Sequence, residues 1–311
     1  MKERALEIHT TPEVVVPDAP AEAARGRAGD YVELTKPRIT LLILLTSAAG
    51  FCLGSSAGVD YLALAHATVG IGLLSSGVST LNQFMERDLD RLMRRTRARP
   101  LPAGRLDARH ALLFGAALTV GAEVYLAAFV NLLTAALGLV VIAGYVFCYT
   151  PLKTRTSLST VVGAVPGAMP PLMGWTAAAG SANLEAWALF AILFAWQFPH
   201  FLAIAWMYRE DYARAGIVML PVVEPDGRRT AQQIVVWTLL LVPVSVFPTM
   251  LGTSGRLYLF GALALGLALI ASSMSAASMA SRHGARRLLL ASVLYLPLLF
   301  GLMVVNNYWR F

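Results

Sequence analysis

The sequence predicts an all-α polytopic membrane protein with nine transmembrane helices. Three observations carry that expectation. Of 311 residues, 57% are apolar and only 14% are charged, with a mean hydropathy of +0.63, whereas soluble domains carry about a quarter charged residues. The apolar residues gather in runs of about 20, the length a helix needs to cross a bilayer. With the amino terminus inside, 23 of the 25 lysines and arginines fall on one side, leaving only Arg256 and Arg310 on the other. That asymmetry fits a cytoplasmic amino terminus, and nine crossings put the carboxyl terminus outside.

Residues 1–30 contain Glu3, Glu7, Glu13, Asp18, Glu22 and Asp30 among alanines and prolines, with no long apolar run. They read as a disordered cytoplasmic leader and exclude a secretory signal. Residues 31–311 then form a single intramembrane domain. Its spans are expected at 39–59, 61–85, 108–129, 132–149, 158–179, 186–208, 232–251, 257–280 and 288–307. Only Glu123 and Asn131 interrupt the stretch 111–150. One helix of that length would need extreme tilt, so two helices joined by a tight turn are expected.

The formal charge of +7 lies in loops beside the bilayer, so it indicates membrane lipid as the surroundings and no nucleic-acid partner. Cys52 and Cys148 both sit in apolar runs, where they serve helix packing rather than a disulfide framework or Cys-rich metal site. Small residues such as Ala262, Ala264 and Gly266 suit close helix contact.

The most informative stretch follows the second span. Asn82, Glu86 and Asp90 are spaced i, i+4, i+8 and line one helical face. Six arginines follow between Arg87 and Arg99. Acids beside a basic loop suit a divalent cation and the anion it bridges, because Mg²⁺ prefers a few carboxylates plus ligand phosphates. A solvated cytoplasmic loop has the same composition. A second loop repeats the pattern with Glu210 and Asp211 near Arg209 and Arg214. Two acid-bearing helix ends on one face suit a clamp around one diphosphate, although Glu210-Asp211 alone also fits a helix-end charge pair. Between the two loops, Lys153 and Arg155 suit charge uptake from a departing diphosphate or an ordinary basic loop. His200 lies within a span, where ionisable groups are costly and mark candidate functional positions. It suits haem ligation, proton movement, or packing against a carbonyl freed by Pro199. His66 carries the same ambiguity.

Together these segments resemble the haem-farnesylating branch of the intramembrane aromatic prenyltransferase (UbiA) superfamily. The resemblance rests on Thr35-Lys-Pro-Arg38, Asn82-x3-Glu86-x3-Asp90, Arg94-x-Thr96-x2-Arg99-Pro100-Leu-Pro102, Tyr149-Thr150, Pro170-Pro171-Leu-x-Gly174-Trp175, Gln197-Phe-Pro-His-Phe201 and Asp211-Tyr212-x3-Gly216-x2-Met219-Leu-Pro221. It covers about residues 31–308. The first acidic motif indicates only the superfamily; the Gln-Phe-Pro-His-Phe segment and the Asp-Tyr form of the second motif point to the haem branch.

The resemblance implies helices around a central cavity with cytoplasmic capping loops. It also implies farnesyl transfer from farnesyl diphosphate to haem B, with Mg²⁺ and addition of water. Asn82, Glu86, Asp90, Glu210 and Asp211 are then the expected metal-site residues. Arg94, Arg99 and Lys153 would take up phosphate charge, Tyr149 or Phe198 would face the allylic cation, and His200 would touch haem or steer water. A haem A synthase or oxidase assembly proteins are implied as partners. The superfamily pattern has Asp where Gln83 and Tyr212 stand, which removes two carboxylates and leaves the number of Mg²⁺ ions open. Rival readings are prenylation of a quinone precursor such as 4-hydroxybenzoate, a polytopic transporter, or a haem carrier. Acids at helix ends on one face disfavour the transporter, for which broken helices in both halves are expected.

Overall fold

Polar caps punctuate an almost continuously apolar chain. The computed structural model describes residues 27–56, 58–279 and 281–309, all in helices and connecting loops with no strand among them. The first helices are α1 (Arg27–Leu34), α2 (Pro37–Gly54), α3 (Tyr61–Leu92) and α4 (Ala108–Phe129), followed by α5 (Leu132–Leu152), whose Ala143–Tyr149 portion is π-helical. Then come α6 (Ser159–Gly167), α7 (Met169–Ala179), α8 (Leu184–Met207) and two short helices, α9 (Arg209–Arg214) and α10 (Leu220–Val223). The chain ends with α11 (Arg228–Met250), α12 (Arg256–Met279) and α13 (Arg282–Trp309).

Asp60, Asp107, Asn131 and Asn183 cap α3, α4, α5 and α8 by accepting hydrogen bonds from otherwise free N–H groups. The Asn131 cap makes the expected turn between the third and fourth spans. Its side chain also donates to the Thr176 carbonyl at 2.8 Å, tying that turn to α7.

Among the described residues, eight helices are long and apolar enough to cross a membrane. The fifth expected span, 158–179, is instead the broken pair α6–α7. Pro166, Pro170 and Pro171 remove three backbone donors around the join at Ala168, so a continuous helix cannot form there. The other eight expected spans are continuous, so breaks do not recur in corresponding halves as in transporters. Of the residues expected to form the leader, 27–30 belong to α1, and 1–26 lie outside the described residues.

Helix α8 is the centre of the bundle. Of its apolar window 67% is buried, against 22–44% for the other long helices. It packs on α11 and α13, while α2 lies against α7, and α3 against α4. The α2–α7 contact is backbone to backbone: a Cβ on Gly174 would strike the Ser47 carbonyl, and one on Gly50 the Pro171 carbonyl. Glycine is needed at both places for approach rather than for turning.

Candidate active site

Helix α3 runs about two turns beyond the expected end of its span at 85, and this extension carries Glu86 and Asp90 of the acidic motif. Asn82, Glu86 and Asp90 share its inner face and are 1%, 6% and 1% exposed, whereas Asp88 is exposed. Burial of that one face sets aside the solvated-loop reading.

Each of the three buried side chains has its own cation. Lys36 Nζ donates to Asn82 Oδ1 at 3.0 Å, Lys153 Nζ pairs with Glu86 Oε1 at 2.5 Å, and Arg99 Nη1 donates to Asp90 Oδ2 at 2.8 Å. Asn82 also donates through Nδ2 to the Thr150 hydroxyl at 3.1 Å. The row is therefore anchored to the start of α2, the end of α5 and the loop after α3.

Local chemistry explains each approach. Lys36 is the only non-glycine at positive φ among the described residues, with φ 50° and ψ 61°. That conformation costs an L-residue about 1–2 kcal/mol, and the following Pro37 itself disfavours right-handed helix at Lys36. Burial, then the neighbouring Arg99, pushes the Lys36 ammonium down to about 7. Lys153 goes the other way: burial alone would lower it, but the Glu86 carboxylate holds it above the ordinary lysine value.

The π-helical turn of α5 sets Tyr145 edge-on to Tyr149, with centroids 5.0 Å apart, and places the Lys153 ammonium 4.4 Å from the Tyr149 ring centre. Such π segments recur at functional positions. The loop after α3 turns back because the Thr96 hydroxyl donates to the Asp90 carbonyl and the Arg99 N–H to the Thr96 carbonyl. Arg105 then pins that loop to Asp30 and Glu33 of α1. Gln83, at the position of the missing motif carboxylate, donates to the Leu34 carbonyl at 2.9 Å. Its amide joins α3 to α1.

The second acidic loop forms a neighbouring wall. Asp211, 9% exposed, accepts the Arg94 backbone N–H at 3.3 Å and pairs with Arg214 at 3.1 Å. The Val218 N–H donates to the Lys153 carbonyl at 2.7 Å, tying this loop to the lysine on Glu86. A cavity of about 470 Å³ opens here, lined by Arg94, Arg95, Arg209 and Arg282 with Glu210 and Asp211. Glu210 itself is exposed, and Arg94 lies at this cavity rather than on the Asn82–Glu86–Asp90 row.

Two expected residues lie elsewhere. Phe198 stacks on Trp237 with centroids 3.8 Å apart and meets Phe194 edge-on, so its ring belongs to the α8–α11 interface. Of the two aromatic residues expected to face the cation, Tyr149 is the one beside the acidic row. His200 Nδ1 meets the Ser292 hydroxyl at 2.9 Å, and that hydroxyl donates to the Leu289 carbonyl at 2.8 Å. Ser292 has one proton to give, so it accepts from His200 Nδ1–H, which leaves Nε2 with its lone pair. The partner is a serine on α13, not a carbonyl freed by Pro199. Toward the opposite end, His66 bonds to the Tyr125 hydroxyl at 2.8 Å.

Among the described residues, no three His, Cys, Asp or Glu side chains gather closely enough to hold a bare metal ion. Asn82, Glu86 and Asp90 nevertheless offer amide and carboxylate oxygens on one face. That set suits Mg²⁺, which takes one or two carboxylates and completes its shell with substrate phosphates and water. Sequence reasoning missed the individual roles of Lys36, Tyr145 and Thr150. The Thr-Lys-Pro-Arg segment was visible, but nothing in it reveals a left-handed lysine reaching Asn82.

Residues 43–293 match the UbiA prenyltransferase family. A curated relative from Solibacter usitatus (strain Ellin6076), named protoheme IX farnesyltransferase, is 54% identical over 287 residues, covering 89% of this chain and 98% of that protein. A second of the same name, from Koribacter versatilis (strain Ellin345), is 47% identical over 89% of this chain and 93% of its own length. Two solved structures share the fold. The apo UbiA homologue of Aeropyrum pernix K1 has a TM-score of 0.68 at 19% identity, covering 86% of this chain and 98% of that one. A homologue from Archaeoglobus fulgidus, bound to GPP and Mg²⁺, has a TM-score of 0.62 at 18% identity, covering 88% and 99%.

Proposed function

The chain belongs to the UbiA prenyltransferase family, and on that premise we propose that it transfers the farnesyl group of farnesyl diphosphate to a vinyl group of haem B. Water adds in the same reaction, and the products are haem O and diphosphate. The observation carrying this reading is the buried row of Asn82, Glu86 and Asp90 with its cations, in a chain whose relatives are named for haem farnesylation.

In this reading, the oxygens of Asn82, Glu86 and Asp90, with Asp211 from the facing loop, hold Mg²⁺ together with the substrate diphosphate. The metal supplies charge neutralisation that makes diphosphate a leaving group. Lys153 and Arg99, with Arg94 at the rim, take up charge on the phosphate oxygens as the C1–O bond breaks and its electron pair leaves with diphosphate. Tyr149 offers its ring face to the allylic cation, and the apolar surroundings exclude water until the vinyl carbon attacks C1. Water then adds to the cation beside the porphyrin and loses a proton. His200 Nε2 serves the acceptor side, at the haem iron or at that water.

We assign the charged loops to the cytoplasm from the lysine and arginine asymmetry, in a bacterial inner membrane. Counting α6–α7 as one crossing gives nine, with the carboxyl terminus outside. The product would pass to a haem A synthase or to oxidase assembly proteins. The test supplies detergent-purified protein with haem B, farnesyl diphosphate and Mg²⁺ and follows the porphyrin by mass. The expected gain is a farnesyl group plus a hydroxyl, abolished by EDTA. Prenylated 4-hydroxybenzoate with unchanged haem B would replace the acceptor, and no prenyl transfer at all would return a transporter or carrier.

A further inference from the structure

We infer that the acidic row rejects free divalent metal and accepts it only together with diphosphate, because Lys153, Arg99 and Lys36 already occupy the directions a metal would need. This rests on the reading of the row as the metal–diphosphate site.

The geometry is specific. Glu86 and Asp90 are the two buried carboxylates of the row, and each is paired with a protein cation at 2.5 Å and 2.8 Å. The Asn82 carbonyl oxygen, the third donor, accepts from Lys36 at 3.0 Å. A divalent ion arriving alone must displace ammonium or guanidinium groups from the only oxygens of the row that they are shown to bind. Among the described residues, Lys153 has Glu86 as its one ion-pair partner, and its ammonium also lies over the Tyr149 ring.

A diphosphate changes that balance. Its oxygens give Lys153, Arg99 and Lys36 new acceptors, so the three cations move from the carboxylates to the phosphate and expose the row to the metal. No proton or covalent bond changes hands; the cations exchange partners. Metal and diphosphate thereby bind with positive coupling, and by linkage each raises the other's affinity equally. Among the described residues no cluster of three metal-ligating side chains exists, in keeping with a shell that substrate phosphates and water must complete.

The test is equilibrium dialysis of Mn²⁺, standing in for Mg²⁺, against purified full-length protein in detergent. Binding is measured alone and with farnesyl thiodiphosphate, whose C–S bond resists ionisation. The wild type is expected to retain Mn²⁺ at least about tenfold more tightly with the analogue than without it, within the usual range of coupling between sites. Lys153→Met should raise the affinity for Mn²⁺ alone, and adding Glu86→Gln to it should remove that gain. Lys36→Met, which leaves both carboxylate pairs intact, serves as a second variant if Lys153→Met does not fold, and it should raise Mn²⁺ affinity less. Wild-type protein that binds Mn²⁺ equally with and without the analogue would overturn the inference, even if haem B is farnesylated. Loss of analogue-dependent Mn²⁺ binding by every route, together with no farnesyl transfer, would instead bring down the functional reading beneath it.

Discussion

Breaking the Lys153–Glu86 pair should separate its structural role from its chemical one. The side chains are 14% and 8% exposed and 2.5 Å apart, so removing either partner leaves a buried charge without its counter-ion. Lys153→Met alone, or Glu86→Gln alone, should each destabilise the protein by about 3–5 kcal/mol, the usual cost of breaking a buried pair. The double variant leaves neither charge and should recover most of that loss, because neutral side chains of similar volume often replace a buried pair without net cost. The two single losses sum to about 6–10 kcal/mol and the double loses little, so the coupling energy expected from the cycle is about 5 kcal/mol or more. It can be read from unfolding in mixed micelles by SDS titration with tryptophan fluorescence. Farnesyl transfer should not recover with stability, since the double variant has neither the metal-binding carboxylate nor the phosphate-binding ammonium. Coupling below about 0.5 kcal/mol, the level at which independent sites simply add, would refute the claim that these two groups form a buried, mutually dependent pair.

Three other perturbations probe separate parts of the account. Gly174→Ala should cost about 1–3 kcal/mol by overpacking, because its methyl would strike the Ser47 carbonyl; the same micelle titration reads it. Lys36, held at about 7 by burial and Arg99, loses its proton in the folded protein well below its unfolded value. Its attraction for diphosphate should be present below pH 7 and fade as pH rises through it. The KM for farnesyl diphosphate should accordingly rise across that range in the wild type, and Lys36→Arg should flatten the profile. The same depression makes charged Lys36 a cost to folding below about 7, relieved progressively up to its ordinary value. His200→Ala should lower turnover and alter the haem absorption spectrum while leaving folded protein, and unchanged turnover would remove His200 from the acceptor site.

The fold was legible wherever hydrophobic length alone decides it. Spans bounded by Asp60, Asp107, Asn131 and Asn183 start within a few residues of expectation, because a capping side chain and an apolar run point to the same boundary. The 158–179 segment was harder because hydropathy registers the apolar content of Pro166, Pro170 and Pro171 but not the donors they lack. At the site, fourfold spacing correctly put Asn82, Glu86 and Asp90 on one face. Spacing carries no information about partners distant in sequence, so the Lys36 and Lys153 contacts, 46 and 67 positions from theirs, emerged only from the fold. Phe198 shows the same limit from the other side. Its neighbours in sequence suggested a site aromatic, but rotation along α8 turns it onto Trp237.

The central claim is that two acid-bearing loops on one face act together on a metal-bound diphosphate. Its most direct test is the single-turnover rate of diphosphate release from farnesyl diphosphate with haem B and Mg²⁺. Wild type, Glu86→Gln and Asp211→Asn would be compared at saturating substrate. The account predicts a fall of at least about a hundredfold for each variant, in line with loss of a group that stabilises developing charge. Release at the wild-type rate from either folded variant would contradict it.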